Sequence, residues 1–488
     1  MPSPPLLVWT LSSPGFAQEA SNDDQPEGEI IVTGERTPRS IVETSSSVAV
    51  TTQEDLDRFA GADTLTRILE QTANVSPTGD DNEGPSIRGV DSSGILTSLE
   101  AFFGGSQPRT TVEVDGLQLS FNEFVFAGAS SWDIERVEVF RGPQTTTQGR
   151  NAVAGAIFVE TADPNHREFE GRVRGIFGGR DERQLSGVLS GPIGSGELAY
   201  RLAGDYREEE SFVIPVGVID YGEDLRQVES LILRGKLGYQ PASLPGFDAL
   251  LTLSHTDTQR PQTESVDAPF FDRERKNPGY SVFAPEFVWN YEAFAKARVA
   301  GGRLLLTGNV FYSDFENYQV ASLTELGPGF FANTFSNVAE ARAFGAEIGA
   351  RYEAADSLFL DFGLGLLDTG FGSDSSSCDF LDGNEFERAP TVTATGGIAW
   401  QPLPGLELSG FARYSDGYAS DAANVAANTV EDYIVADVQA SYTIGPVRLF
   451  AYATNVFGND YELSIFSDGS LANIGDPRRV SEGIKFAF

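Results

Sequence analysis

The 488-residue chain holds one cysteine, Cys378, and two histidines, His166 and His255. A single thiol excludes an internal disulfide framework and a thiolate metal site. Two isolated imidazoles leave little basis for a zinc pair or a His-dependent triad. Basic residues are scarce too: 34 Lys and Arg stand against 71 Asp and Glu, for a formal charge of −37. That balance opposes nucleic acid as a partner, because phosphate binding needs a basic surface. No apolar run approaches the ~20 residues of a membrane helix, so a membrane-spanning form of this chain must be a β-barrel. A nucleophile-elbow GxSxG, a Walker loop and a metal-binding His pair are also missing, so no enzyme, cofactor or metal site is predicted. The acidic stretch Asp374 to Glu387 lacks the EF-hand spacing and reads as a solvated loop. What is plentiful is apolar and aromatic residues, at 40% and 11%, enough for a packed structure despite the charge.

Several stretches differ in character. Leu6 to Leu11 is a short apolar run, and Ser13-Pro14-Gly15-Phe16-Ala17 has the look of a cleavage region, so residues 1–17 read as an export-signal remnant without its basic start. Residues 18–40 begin polar and aperiodic and are expected to be a flexible segment. Mixed helical and strand signals fill 41–165, where Leu65, Ile68 and Leu69 mark a short amphipathic helix over Thr64 to Glu70. From 166 to 488 alternation dominates. In Leu231 to Tyr239, Leu231, Leu233, Leu237 and Tyr239 share one face, and Arg234 and Lys236 share the other. Short turns at 194–196, 241–246, 301–302, 354–356, 402–405 and 445–446 alternate with long polar loops around 208–224, 258–286, 316–337, 371–387, 417–430 and 460–476. This asymmetry predicts a mainly β protein: an antiparallel transmembrane barrel of about fourteen strands with an N-terminal α+β domain. A soluble sandwich or propeller is the alternative, but no blade-length repeat supports it.

Motifs in order along the chain then resemble the TonB-dependent receptors. Glu29-Ile30-Ile31-Val32-Thr33-Gly34 resembles their TonB box, Ile87-Arg88-Gly89 their IRG motif, and Val112–Gly116 a further motif of their plug domain. Asp133–Pro143, continued by Gly149–Ala152 and Gly155–Ile157, is the most specific match. Trp289–Glu292, Gly345–Glu347, Asn455–Phe457 with Tyr461, and Gly475–Arg479 extend the likeness through the barrel. The resemblance implies a plug inside a barrel in the bacterial outer membrane, energised uptake through TonB with ExbB and ExbD, and a scarce ligand, foremost a ferric siderophore. It also implies that a terminal strand ending on Ile484, Phe486 and Phe488 is read by the outer-membrane assembly machinery and faces lipid. Residue chemistry agrees in part. The box is an extended apolar run that could lend its backbone to a partner's sheet edge, or be an ordinary first strand.

Arg88 and Arg141 carry a sharper expectation. The resemblance pairs them with two wall glutamates, at the positions of Glu292 and Glu347. Alternation puts Glu347 and Arg351 on the face opposite Ile348, Ala350 and Tyr352, and Glu292 and Lys296 opposite Tyr291 and Ala293. A plug–barrel charge cluster is therefore expected.

One mismatch stands out. The family closes twenty-two strands, and about eight are missing between residues 257 and 289. Fourteen closed strands give a backbone radius of about 14 Å, whereas a plug of roughly 120 residues needs an outer radius of ~17–18 Å. A surface receptor impaired in transport by an internally deleted barrel is thus a second reading, and a secreted β-rich binding module a third.

Overall fold

The computed structural model describes residues 6–8, 30–34, 38–59, 64–77, 84–92, 108–119, 130–144, 152–211, 227–244, 246–259, 287–327, 330–372, 381–466, 469 and 471–488. Glu29, Cys378, residues 149–151, the loop segments 212–226 and 260–286, and the export-signal stretch apart from 6–8 lie outside these residues.

The N-terminal part packs short elements on one small sheet. After β1 (Leu6–Val8) come the hairpin strands β2 (Ile31–Val32) and β3 (Arg39–Ser40). Strand β4 (Val48–Thr52) runs into α1 (Gln53–Arg58) through a capping box. The Thr52 hydroxyl accepts from the Asp55 N–H at 3.3 Å, and the Asp55 carboxylate accepts from the Thr52 N–H at 2.9 Å. Helix α2 (Leu65–Leu69) buries Leu65, Ile68 and Leu69, the three positions that predicted it. Next come β5 (Val75–Ser76), β6 (Ser86–Ile87), β7 (Val90–Asp91), β8 (Thr110–Val114), β9 (Leu117–Gln118), β10 (Ile134–Arg141) and β11 (Gly155–Thr161). The five-stranded sheet runs β4-β10-β11-β8-β9, parallel only between β8 and β11. Val137, Val139 and Ile157 meet α2 and Ile87 on one face, while Phe140, Ala156 and Phe158 meet Val32, Ile41 and Leu305 on the other. Strand β10 is thus buried on both faces.

The rest of the chain wraps around this domain. The strands are β12 (Glu170–Gly178), β13 (Arg183–Ile193), β14 (Leu198–Glu210), β15 (Gln227–Tyr239), β16 (Ala249–Gln259), β17 (Phe287–Val299), β18 (Leu304–Gly327), β19 (Phe330–Ala355), β20 (Leu358–Phe371), β21 (Val392–Leu403) and β22 (Leu406–Ser415). The short β23 (Tyr418–Ala419) and β24 (Thr429–Val430) pair with each other. They are followed by β25 (Tyr433–Ile444), β26 (Val447–Thr454), the paired β27 (Glu462–Phe466) and β28 (Leu471–Ile474), and β29 (Arg479–Ala487). Fourteen long antiparallel strands, β12 to β22 with β25, β26 and β29, form one sheet in which β12 pairs with β29. A single sheet curved around a plug excludes the sandwich and the propeller. Alternation behaves as expected: Leu233, Leu237 and Tyr239 are exposed outward, and Lys236 is buried inward.

One expectation needs correction. The polar stretch around 316–337 is not a loop, because β18 and β19 continue their ladder from Leu304↔Tyr352 to Gly327↔Phe330. The ladder is carried by backbone bonds, and Tyr318, Val320 and Val338 along it are buried. The barrel wall has its fourteen long strands as expected; among the described residues β16 and β17 do not pair with each other, and β1 adds on the outer edge of β16, so that β1 and β17 end the sheet. Among the described residues the break falls between 259 and 287, where the missing strands were inferred, and strands with such a break need not contract to the radius of fourteen closed ones.

Candidate functional site

The expected charge cluster is built from a tight turn upward. Arg88 and Gly89 join β6 to β7, both at positive φ (52° and 76°), so the turn aims the Arg88 side chain at the wall. Its guanidinium grips Glu347 of β19 with two parallel bonds, Nε to Oε1 and Nη2 to Oε2, each 2.8 Å. Nη2 also donates to Glu292 Oε1 of β17 at 3.1 Å, and the guanidinium lies 3.8 Å from the Phe311 ring centre. Arg141, at the end of β10, places Nε 3.4 Å from Glu347 Oε2 and donates Nη1 to the Ala73 carbonyl at 3.1 Å. Asn309 of β18, between the two glutamate strands, donates to Glu292. Ser47 and Asn74 of the plug complete Glu347 at 2.7 and 3.2 Å. Arg88 and Glu347 are each only 3% exposed, so this is a desolvated network with its charges met by oriented donors. A cavity of about 140 Å³ opens beside it, bordered by Val48, Thr51 and Asp55 on the plug and by Lys296, Thr307 and Arg351 on the wall.

A second group of contacts was not foreseen. Asp133, at φ 63° just before β10, accepts from Arg201 Nε of β14 at 3.0 Å and Arg172 Nη2 of β12 at 3.1 Å. Lys236 of β15 donates to the Thr161 carbonyl at 2.8 Å and Asp163 Oδ1 at 2.9 Å. Further round, Asp55 pairs with Arg351 at 2.5 Å, Asp57 with Lys485 at 2.7 Å, Glu70 with Arg413, and Arg67 with Asp476. The plug is therefore tied to strands on both sides of the break. On one side stands Lys236 of β15, and on the other Glu292 and Lys296 of β17, of which Lys296 donates to the Thr44 and Ser46 carbonyls at 3.0 and 2.8 Å. Asp133 lay inside the most specific motif. Its signal was an acid directly ahead of an apolar strand, but its partners are 39 and 68 residues away.

The box residues form a third group. Ile31 and Val32 pair with Ser40 and Arg39, and Val32 is 1% exposed. The Thr33 and Gly34 N–H groups each donate to Glu138 of β10 at 2.9 Å. Thr33 Oγ1 meets Glu138 Oε1 at 3.0 Å and also contacts Glu160 of β11. Arg136 donates Nε to Glu138 at 3.1 Å and reaches Glu160. Glu138 is wholly buried, and it is a residue sequence reasoning passed over. The sign available was an acid inside the apolar run Val137–Phe140. At the far end, Ile484, Phe486 and Phe488 all face outward, and Phe488 closes the seam with Gly171 through bonds of 2.8 and 2.9 Å.

Comparison with known proteins agrees with this geometry. Residues 40–156 match the family described as TonB-dependent Receptor Plug Domain, and residues 234–456 match TonB dependent receptor-like, beta-barrel. The chain belongs to the TonB-dependent receptors. It is 31% identical over 199 residues to the pesticin receptor of Yersinia pestis, covering 40% of this chain and 27% of that protein. It is 29% identical over 252 residues to the iron-regulated outer membrane virulence protein of Vibrio cholerae, covering 49% and 36%. These alignments span about a quarter to a third of the curated relatives' lengths. In fold, the receptor is similar to the ferric yersiniabactin uptake receptor FyuA of Yersinia pestis, with a TM-score of 0.71 at 15% identity over 91% of this chain and 98% of that one. The siderophore receptor PiuA of Acinetobacter baumannii gives 0.67 at 13% over 92% and 98%. Membership places the receptor in the outer membrane, with the exposed apolar side chains of its wall strands facing lipid.

Proposed function

We propose that the receptor takes up a ferric siderophore across the outer membrane, with energy delivered to its TonB box by TonB, ExbB and ExbD. The observation that carries this reading is the seating of residues 30–34 on the plug, by a two-residue hairpin and the side chains of Glu138 and Glu160. Such a seat is small enough to be vacated by an incoming strand. An exposed box could then pair its backbone with the edge of a partner's sheet. The wall ties have a different role: the cluster of Arg88, Arg141, Glu292 and Glu347 fixes where the plug sits, and the adjoining cavity gives it room to shift. The names of relatives, iron-regulated or siderophore receptors, support the ligand class. Ile484, Phe486 and Phe488 serve as the signal for the assembly machinery.

The test is uptake of radiolabelled ferric siderophore by cells carrying the receptor with or without residues 29–34. Deletion is expected to abolish accumulation and leave surface binding intact. Equal accumulation by both would overturn energised uptake, and binding without accumulation by the intact receptor would leave a surface receptor only.

A further inference from the structure

Resting on the reading of residues 29–34 as a TonB box, we propose that the seat of the box holds a proton on Glu160, and that loss of this proton frees the box. The argument is a count of hydrogens. Thr33 Oγ1 carries one hydrogen, yet it touches two carboxylate oxygens, Glu138 Oε1 and Glu160 Oε1. A hydroxyl can donate to only one of them. With both acids ionised, the other contact would set lone pair against lone pair. A proton on one carboxylate removes the conflict, because that acid then donates to Oγ1 while Oγ1 donates to its neighbour.

The surroundings decide which acid carries it. Glu138 accepts from the Thr33 N–H, the Gly34 N–H and Arg136 Nε, so both its oxygens already face donors and a carboxyl hydrogen there would meet one of them. Glu160 divides its roles. Oε2 meets Arg136, as a carbonyl oxygen can, and Oε1 meets only the Thr33 hydroxyl among the bonds described at that atom. Glu160 Oε1 is therefore the site of the proton. Burial pushes the Glu160 carboxyl above its ordinary value, opposed by Thr33 and Arg136 and aided by Glu138 and Glu135. Among the described residues, charged groups on the elements next to the seat include Arg39 on β3, across from Val32, and Asp115 after β8. Asp115 is engaged by Thr161 and Lys236. Strand β4 brings no ionisable side chain, since it offers Val48 to Thr52.

The sign follows from linkage. A carboxyl whose value is raised in the seated state stabilises seating below its free value and loses that effect as pH rises through the raised one. The proton leaves to water, and the seat is left with two adjacent negative charges and one hydroxyl hydrogen. Between the free value and the raised one the ratio of free to seated box should grow by up to about tenfold per pH unit, levelling off above the raised one.

The test uses the full receptor in its membrane, with Cys378→Ser, Ile31→Cys and a nitroxide on the new thiol. The mobile fraction of the spectrum is followed from pH 5 to pH 8. With Glu160 present, it is expected to rise with pH. In Glu160→Gln, whose amide donates to Oγ1 and has no proton to lose, it should stay low throughout. Infrared difference spectra of the two should differ by one neutral carboxylic-acid band at the acid end. A pH profile shared by both receptors, or no difference in that band, overturns the proposal. Binding of the purified periplasmic domain of TonB is measured in parallel. A pH-dependent release with no TonB binding would refute the box reading and leave the proton seat standing.

Discussion

Glu347 accepts from Arg88, Ser47 and Asn74 while nearly sealed from solvent, so it converts one wall position into three plug contacts. Removing one partner of such a network leaves a stranded charge, a loss of ~3–5 kcal/mol. Arg88→Ala and Glu292→Ala are each expected to loosen the plug, seen as faster proteolysis within residues 41–165. Their double-mutant cycle should show coupling, and strict additivity would mean the two side chains act separately. Asp55 offers a pH test at the same scale. Burial works against its charge, but Arg351 and the Thr52 bonds outweigh it and hold the carboxyl below its ordinary 3.8. A lowered carboxyl contributes fully above its unfolded value and loses that contribution as pH falls through the folded one. The plug should therefore loosen on acidification below 3.8, and Asp55→Asn should remove that part of the acid response.

Among the elements, the β2–β3 hairpin is held by a ladder of two residue pairs, and Gly34 just after β2 packs against two rings. A Cβ on Gly34 would lie 2.5 Å from ring atoms of both Phe140 and Phe158. Gly34→Ala is thus expected to unseat the box and leave the five-stranded sheet intact, read as spin-label mobility at position 31 with unchanged plug proteolysis. Much of the element level was legible beforehand. Alternation located the long strands, and the 65, 68, 69 spacing located α2, because both patterns are local. The charge cluster was legible through motif likeness joined to alternation, which fixed the faces of Glu292 and Glu347. The burial of Glu138 was not, since it depends on a segment 105 residues away folding back over β10. The same holds for Asp133 with Arg201. Hairpin length beyond residue 316 escaped notice because its many polar residues hide the period of two, while the ladder is carried by backbone bonds.

For the molecule as a whole, the decisive fact is a sheet that joins its first and last long strands, β12 and β29, while among the described residues β16 and β17 do not pair. Closure normally lets a barrel hold its shape by hydrogen bonds alone. Here ion pairs to the plug on both sides of the break brace the curvature. Deletion of residues 41–165 should therefore abolish the compact, heat-modifiable band in gel electrophoresis, and a normal band would show a self-supporting wall. The position of β4 has a mechanical consequence as well. It is an outer strand of the plug sheet, neighboured only by β10, and it comes directly after the box hairpin along the chain. Tension applied at the box would reach Lys296 at Thr44 and Ser46, then β4, and then the Asp55–Arg351 pair, well before anything reached Arg88. Residues 30–52 could peel away and span roughly 75 Å at the ~3.3–3.6 Å per residue of extended chain. The remainder of the plug would stay clamped in the wall while this leader paid out toward the inner membrane.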